Sequence, residues 1–336
     1  MRYNILSSTA ESRVLTTLYE RQEKTLFETI MQAIRSHSRI ILHRHKKPDG
    51  DAMGSQIGLK HILKENFPEK EIYAVGDNAG FFGFMDDSVM DEIPDSFYEN
   101  ALAVVLDCGA PGLVSDDRYT LAAKTVRFDH HLFVEKFCDE EAVDSSFESC
   151  CGLITAFALE QNLTIPPLGA KALYTGMVTD SGRFRYDSTT SRTFTLAAHL
   201  MAQGFDTTPI FRNLYADTLE SKQQKAQFIR KIRLTERNVA YIYTSLEEFR
   251  ELGMDTFAVS RGMVNTMADI KGVDIWVNFT ETESGVLCEL RSTTKNINPI
   301  AVKYGGGGHA KASGATVKDK TEALAMLQDL DDMMRE

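Results

Sequence analysis

The chain has 336 residues, enough for two domains of ordinary size, each with its own core. A hydrophobic content of 43% and a charged content of 25% are typical of a globular protein, and no apolar run is long enough to span a bilayer. The formal net charge of −11 argues against binding long duplex nucleic acid, because such binding depends on neutralising phosphates.

The N-terminus and the cysteines indicate the cellular setting. The first residues lack the charged-then-apolar layout of a signal peptide, so a cytoplasmic protein without a membrane partner is expected. The five cysteines include no CxxC pair, which argues against a zinc knuckle or a thioredoxin-like site. Their odd number and the expected compartment also argue against a disulfide framework.

The first part of the chain alternates predicted helices and strands. Residues 1–20 carry weak signals and are expected to form a lead-in segment, and residues 21–36 show apolar positions at helical spacing. Predicted strands follow at 40–42, 72–75, 103–106 and 126–128, and predicted helices at 53–65, 149–162, 168–178 and 191–203. This alternation predicts an α/β fold whose larger domain, residues 21–205, has a mainly parallel sheet flanked by helices.

The composition changes between Gly204 and Lys225, where Pro209 and polar runs occur. We therefore expect a linker at residues 206–225 and a smaller α/β domain at residues 226–336. Within this domain, strands are predicted at 239–243, 274–279, 286–290 and 315–317, and helices at 260–267, 299–304 and 321–334.

A dispersed set of acidic and histidine residues follows the predicted strands of the larger domain. Ligands of open parallel sheets bind beyond the carboxyl ends of the strands, where these residues would gather. Carboxylates and imidazoles in such number suit two divalent metals, not an acyl-transfer triad. The set comprises His45, Asp49 and Asp51 after the first strand, Asp107 after the third, Asp129, His130 and His131 after the fourth, and Asp180 further on.

Each member of this set also has an ordinary structural explanation. Asp49 and Asp107 could cap a helix or turn, the two histidines could be a partly exposed pair at a strand end, and Asp180 could end a helix. Four such accidents in this order are improbable, so the joint occurrence favours a metal centre.

The order of these motifs resembles the DHH phosphoesterase superfamily. A downstream glycine-rich segment, Gly305–Gly308 followed by His309, resembles the DHHA1 domain that accompanies it in one major branch. The resemblance covers nearly the whole chain beyond about residue 20. It is closest to the bacterial stand-alone proteins that act as nano-RNases and as phosphatases of 3′-phosphoadenosine 5′-phosphate (pAp).

The resemblance implies two metal sites that share Asp107. One would comprise His45, Asp49 and Asp107, and the other Asp51, Asp107, His130 and Asp180. Asp129 would orient His130 or accept a hydrogen bond beside it, and His131 would contact the scissile phosphate or protonate the departing oxygen. The family usually uses Mn²⁺, while the ligand chemistry also admits Mg²⁺, Fe²⁺ or Co²⁺.

A second set of residues is expected to bind the substrate. Glycine lets backbone N–H groups approach a phosphate closely, and an arginine can clamp one through two hydrogen bonds. The ordinary explanation is a flexible loop for the glycines and a solvated arginine at a strand end for Arg291. Arg183 could face the cleft or pair with a surface carboxylate, and these two interpretations are evenly matched. The set comprises Arg291, Ser292, Gly306, Gly307, Gly308, His309, Ser313 and Arg183.

The sequence thus predicts a two-metal phosphoesterase that cleaves short oligoribonucleotides (nanoRNA) to mononucleotides, removes the 3′-phosphate of pAp, or both. Alternatives are a phosphodiesterase of linear or cyclic dinucleotides, a manganese pyrophosphatase, and a catalytically silent nucleotide sensor on the same scaffold. The expected partners are short RNA or nucleotides. The oligomeric state is left open, with a homodimer as one option.

Overall fold

The computed structural model describes residues 27–335, so the expected lead-in at 1–20 and the start of the helix expected at 21–36 lie outside the described residues. The chain divides into two compact units, with the boundary between Tyr215 and Ala216. This boundary falls within the interval 206–225, which is largely helical and not an irregular linker.

The first unit is built on a five-stranded sheet in which every neighbouring pair of strands is parallel. The strand order is β2-β1-β3-β4-β5. This confirms the predicted α/β fold, although the short edge strand β5 was not predicted. The strands are β1 (Arg39–Arg44), β2 (Glu71–Ala74), β3 (Leu102–Leu106), β4 (Lys124–Asp129) and β5 (Glu140–Val143).

Helices and short helical turns complete the first unit. Its main apolar core packs helix side chains against β1, β3 and β4, whose central residues are fully buried. The α-helices are α1 (27–36), α2 (Gly50–Asn66), α3 (Cys150–Glu160), α4 (Pro167–Asp180), α5 (Ser191–Met201) and α6 (Thr208–Tyr215). Four 3₁₀ turns occur at Gly80–Phe84, Asp95–Tyr98, Pro111–Leu113 and Asp117–Leu121.

The register of the sheet aligns the carboxyl ends of its three central strands. Arg44 pairs with Leu106, and Leu106 pairs with Phe128, so the next residue of each chain segment lies at the same level. Those next residues are His45, Asp107 and Asp129. Strand pairing alone therefore brings three distant parts of the sequence to one edge.

Glycines allow α2 to lie very close to α4. A Cβ on Gly54 would stand 2.6 Å from the carbonyl oxygen of Ala172, and a Cβ on Gly176 would stand 2.2 Å from Sγ of Cys151. Both distances are shorter than side chains tolerate, so these positions require glycine. The close approach fixes the first turn of α2, which carries Asp51, against α3 and α4.

The second unit contains a six-stranded mixed sheet in the order β10-β11-β9-β8-β7-β6, in which only β7 and β8 run parallel. Helix α10 covers one face through Met326 and Leu330. The strands are β6 (Arg233–Leu234), β7 (Ala240–Thr244), β8 (Ile275–Thr282), β9 (Gly285–Ser292), β10 (Gly307–His309) and β11 (Ala312–Val317). The α-helices are α7 (Leu219–Lys231), α8 (Leu246–Leu252), α9 (Asn298–Lys303) and α10 (Lys320–Asp332).

One predicted helix of this unit has a different form. In place of a single helix at 260–267, the chain forms a π-helical turn at Ala258–Gly262 and a 3₁₀ turn at Val264–Met267. The chain closes with a further 3₁₀ turn at Met333–Arg335. Within the described range 27–335, no helix is both long and apolar enough to cross a membrane.

The contact between α2 and α4 yields a stability prediction. Replacing glycine by alanine inside a helix ordinarily stabilises it by up to about 1 kcal/mol. Gly54→Ala should instead destabilise the protein by about 1–3 kcal/mol, because the new methyl group meets backbone and cannot be accommodated. Urea denaturation would measure the change.

The matched control is Gly112→Ala, where a Cβ meets nothing within 4 Å. This variant should change the free energy of unfolding by less than about 0.5 kcal/mol. Equal or greater stability of Gly54→Ala would show that the two helices can separate at little cost.

Candidate metal centre and substrate-binding residues

His45 follows β1 and faces two carboxylates. Its Nε2 lies 3.5 Å from Oδ2 of Asp107 and 3.7 Å from Oδ1 of Asp49. Its Nδ1 lies 3.0 Å from the carbonyl oxygen of Lys46. Since a carbonyl only accepts hydrogen bonds, Nδ1 carries a proton, and Nε2 faces the carboxylates, which is the orientation of a metal-binding histidine.

Asp49 has the capping role that was considered as its ordinary explanation. Its Oδ1 accepts hydrogen bonds from the backbone N–H groups of Asp51 and Ala52, each at 3.0 Å, at the start of α2. The cap holds the carboxylate beside His45 and leaves more than half of the side chain exposed. Capping and metal binding are therefore compatible at this position.

Asp51 is buried and is held by the N-terminus of α3. Its Oδ2 accepts from the N–H of Cys150 at 2.7 Å, and its Oδ1 accepts from the N–H of Cys151 at 2.9 Å. Ser149 caps the same helix. The first N–H groups of a helix favour negative charge, so α3 fixes the orientation of this carboxylate.

Asp107 lies at the centre of the cluster. Its backbone is in the left-handed region, with φ of +56°, a conformation that aspartate tolerates better than most residues. Oδ1 is buried and has no hydrogen-bond partner among residues 27–335. This oxygen lies 3.6 Å from Nε2 of His130, while Oδ2 faces His45, so the carboxylate stands between the two histidines.

His130 brings together the other carboxylates. Its Nε2 lies 3.3 Å from Oδ2 of Asp180, the last residue of α4, and 3.7 Å from Oδ2 of Asp51. Its Nδ1 is directed at the carbonyl oxygen of Phe147, 3.4 Å away. His130 thus has the same arrangement as His45, with one nitrogen against the backbone and the other facing acids.

Asp129 contacts His131, whereas the sequence analysis expected it to orient His130 or to accept a hydrogen bond beside it. Oδ1 of Asp129 lies 2.7 Å from Nδ1 of His131. This hydrogen bond raises the pKa of His131. Burial works to raise the pKa of Asp129, but the contact with His131 and the charge of Arg127 hold it below its usual range. His131 is about half exposed, so its Nε2 is available to a ligand.

The donor set fits divalent cations. Three groups each present ligand atoms within 4.8 Å of one another: His45, Asp49 and Asp107; Asp51, His130 and Asp180; and Asp107, His130 and His131. The separations from nitrogen to carboxylate oxygen of 3.3–3.7 Å exceed normal hydrogen bonds. They are close to the roughly 3–3.5 Å between two atoms that each bind one ion at about 2.1 Å.

The electrostatics of the site also favour cations. Burial and the charges of Asp107, Asp180 and Asp49 raise the pKa of Asp51 well above its ordinary value. Burial, with the charges of Asp107 and Asp49, raises the pKa of Asp180 to about 7, although His130 acts in the opposite direction. Carboxylates this close repel one another, and bound divalent ions would remove the repulsion.

In the second unit, strand pairing brings several expected substrate residues together. Ala312 pairs with Arg291 on one side and with His309 on the other. Arg291 donates to Glu289 at 3.1 Å and to the carbonyl of Leu290 at 2.8 Å, so a phosphate would compete with Glu289 for it. The hydroxyl of Ser292 is buried and accepts from the N–H of Lys295.

The glycine-rich segment needs its glycines at three positions, one of which is Gly305 with a φ of +76°. A Cβ on Gly306 would stand 2.1 Å from the carbonyl oxygen of Gly314, and Gly308 has a φ of +133°. Gly307 has open space around it. The hydroxyl of Ser313 donates to the carbonyl of His309 at 2.8 Å, so it closes the turn between β10 and β11.

Arg183 lies in an unusual turn after α4. Gly182, Arg183 and Phe184 all have positive φ, between 57° and 64°. Such conformations cost about 1–3 kcal/mol each for residues other than glycine and persist where the surroundings impose them. The guanidinium of Arg183 lies 4.6 Å above the ring of Tyr215, in the same unit, which stabilises it by a cation–π contact.

Three supporting residues were missed by the sequence analysis. Arg44 is fully buried at the end of β1, and Arg127 is fully buried within β4. Arg44 donates to the carbonyl of His45 at 3.2 Å, and Arg127 lies 3.8 Å from Asp129. Asn298 donates to the carbonyl of Gly308 at 2.8 Å. A charged residue inside an apolar strand run was the available signal, since buried charges must be paired.

Comparison with known proteins extends these observations. Residues 39–177 match the family model described as DHH family, N-terminal domain, and residues 238–336 match the DHHA1 domain. A probable bifunctional oligoribonuclease and PAP phosphatase NrnA of Streptococcus mutans is 32% identical, covering 93% of this chain and 100% of that protein. A bifunctional oligoribonuclease and PAP phosphatase NrnA of Bacillus subtilis is 33% identical, covering 91% and 98%.

A solved structure supports the fold. The crystal structure of an exopolyphosphatase-related protein from Bacteroides fragilis superposes with a TM-score of 0.78, covering 93% of this chain and 98% of that one. The two sequences are 24% identical. At that identity the match concerns the fold alone.

The different surroundings of the adjacent histidines predict different effects of mutation. His130→Ala should lose bound metal, because His130 faces three carboxylates. His131→Ala should retain metal but lower the single-turnover rate by about 10²- to 10⁴-fold, the range for removal of a proton-transfer group. Elemental analysis of both purified variants, beside rapid-quench rates, would measure the two effects. Equal loss of metal in both variants would contradict this division.

Proposed function

Since the chain belongs to the DHH family of phosphoesterases, we propose that it hydrolyses short oligoribonucleotides to mononucleotides and removes the 3′-phosphate of pAp. The observation that carries this proposal is the convergence of His45, His130 and four carboxylates around the unpaired Oδ1 of Asp107. The choice of substrate rests on the two NrnA relatives, which match nearly the whole chain.

We assign two divalent ions to this cluster, with Mn²⁺ as the preferred metal. His45, Asp49 and Asp107 would hold one ion, and Asp51, Asp107, His130 and Asp180 the other. The reason for a shared Asp107 is that its two oxygens face different histidines, at 3.5 Å and 3.6 Å. When bound, such ions activate water and stabilise the charge that develops on a phosphate during hydrolysis.

His131 is assigned the proton transfer to the departing oxygen. Asp129 accepts a hydrogen bond from Nδ1 and thereby fixes the ring, which leaves the exposed Nε2 to reach the substrate. Arg127 lies 3.8 Å from the second oxygen of Asp129 and keeps that carboxylate charged. His131, Asp129 and Arg127 thus form a line of contacts in which each residue orients the one before it, as in a catalytic triad.

We assign substrate positioning to the second unit. Arg291 on β9 and His309 on β10 both pair with Ala312 on β11, the strand between them. Together they suit a second phosphate of the substrate. Gly307 has open space where a Cβ would stand, so a phosphate can approach its backbone. A substrate fixed through a distant phosphate reacts faster because its reacting group is already positioned. Arg183 would contribute only after leaving the ring of Tyr215.

The test of the proposed function is a product-resolved assay of the pure protein with Mn²⁺ over pAp, linear dinucleotides and 5′-labelled RNA of graded length. Rates should fall as the RNA grows beyond a few residues, because a net charge of −11 provides no extended electrostatic track for a long strand. Asp107→Asn should lose more than about 100-fold in rate, the upper range for residues that merely support a ligand.

The exposed carboxylate Glu99 provides the control, and Glu99→Gln should leave every rate unchanged. Equal efficiency on a dinucleotide and on a long single strand would contradict the preference for short substrates. Hydrolysis of inorganic pyrophosphate alone would favour a pyrophosphatase, and nucleotide binding without turnover would favour a sensor.

The role of the second unit predicts a difference between substrates. Arg291→Ala should lower kcat/KM for pAp by about 10- to 100-fold, the worth of a hydrogen bond to a charged group. The loss should be smaller for a chromogenic phosphodiester that lacks a second phosphate, and bound metal should be unchanged. Steady-state kinetics with both substrates would measure it.

Arg250→Ala is the matched control, since Arg250 makes an exposed surface ion pair with Glu283 in the same unit. If Arg291→Ala loses the same factor on both substrates, or loses metal, then Arg291 has a structural role.

A further inference from the structure

An aromatic cluster lies on the first unit, in the 3₁₀ turn Gly80–Phe84. The rings of Phe81 and Phe82 meet edge to face at 5.2 Å, and those of Phe81 and Phe84 at 6.0 Å. Phe81 is nevertheless 63% exposed. Its ring is thus supported on one side by two aromatic neighbours and open to solvent on the other.

This cluster touches the candidate metal centre. A Cβ built on Gly50 would stand 3.0 Å from Cε1 of Phe82, and 2.4 Å from Oγ1 of Thr179. Gly50 lies between Asp49 and Asp51, and Thr179 immediately precedes Asp180. The ring of Phe82 therefore rests against the backbone that carries the assigned ligands, and the ring of Phe81 contacts the ring of Phe82.

Three hydrogen bonds connect Asp77, which precedes the aromatic turn, and the buried Arg44 to the loop of His45. Oδ2 of Asp77 accepts from the backbone N–H of Lys47 at 2.8 Å. The fully buried Arg44 donates to Oδ1 of Asp77 at 2.7 Å and to the carbonyl of His45 at 3.2 Å. Asp77 is thereby held against the loop at 45–47, and Phe82 packs against the same region at Gly50.

The loop at 45–47 also carries free positive charge. Lys46 and Lys47 are exposed, and within the described part of the chain neither ammonium group forms an ion pair with a carboxylate. A supported aromatic ring beside unpaired cations is the combination that binds single-stranded nucleic acid, since rings stack on bases and lysines attract phosphates.

We propose that Phe81 is a base-stacking subsite, on which a nucleobase of the substrate lies while the neighbouring phosphate reaches the metal centre. The inference rests on the proposed function in taking a nucleotide as substrate, and it adds a base-recognition site on the first unit. A single exposed ring is far too small for a protein partner, because stable interfaces bury about 1,600 Å². The exposed ring of Phe81 instead matches a single nucleobase in size.

The experiment compares substrates with and without bases. Phe81→Ala should lower kcat/KM for the linear dinucleotide pApA about tenfold, within the range for loss of one stacked base. The same variant should show unchanged kcat/KM on an analogue of pApA in which both bases are replaced by hydrogen. Phe81→Trp should retain activity on pApA, because tryptophan also stacks.

A binding measurement makes the test independent of turnover. In the presence of Mn²⁺, Phe81→Ala should weaken AMP binding about tenfold in isothermal titration calorimetry and leave ribose 5-phosphate binding unchanged. Phe257→Ala is the matched control, because Phe257 is 65% exposed in the second unit. It should leave both affinities unchanged.

The outcomes separate the two proposals. Loss of pApA and base-free hydrolysis by the same factor in Phe81→Ala, or equal weakening of AMP and ribose 5-phosphate, would overturn the subsite. Absence of turnover by the wild-type protein on any nucleotide, with AMP binding still dependent on Phe81, would overturn the proposed function and retain the subsite.

Discussion

Mutual repulsion among four carboxylates is the interaction on which the structure of the first unit depends. Asp49, Asp51, Asp107 and Asp180 come from three regions of the chain and lie with two histidines in one small volume. Folding without cations would leave like charges buried together, which raises the pKa of Asp51 and of Asp180. The sheet and the helices around it must hold the four carboxylates in place against that repulsion.

Backbone groups provide most of the contacts that hold these side chains in place. Sheet register places His45 and Asp107 side by side, backbone N–H groups of α3 bind Asp51, and carbonyl groups orient His45 and His130. Buried arginines then support the backbone itself, as Arg44 does for the loop that begins at His45. Side chains held in this way have little freedom, which is the condition that the proposed two-ion centre requires.

The sequence was sufficient to predict the parallel sheet, because predicted strands and helices alternate along the first part of the chain. It also predicted which acids and histidines would gather. It did not predict that Asp129 would support His131, since either neighbouring ring was within reach from sequence spacing alone. Nor could it predict the turn at 182–184, where tertiary contacts impose left-handed backbone on Arg183 and Phe184. The prediction of a single helix at 260–267 was wrong because the apolar spacing of this segment suits several helical forms.

The hold of α3 on Asp51 has a consequence for how this protein can vary. The two donors are peptide N–H groups, which every residue except proline supplies, so the chemistry at positions 150 and 151 does not depend on which side chains stand there. The volume of the side chain at position 151 is limited, because the Cys151 sulfur fills the space left by Gly54 and Gly176. Both cysteine side chains are fully buried, so among related chains the residues that orient Asp51 could change identity only where a similar volume is kept. A survey that looks for invariant polar side chains would pass over both.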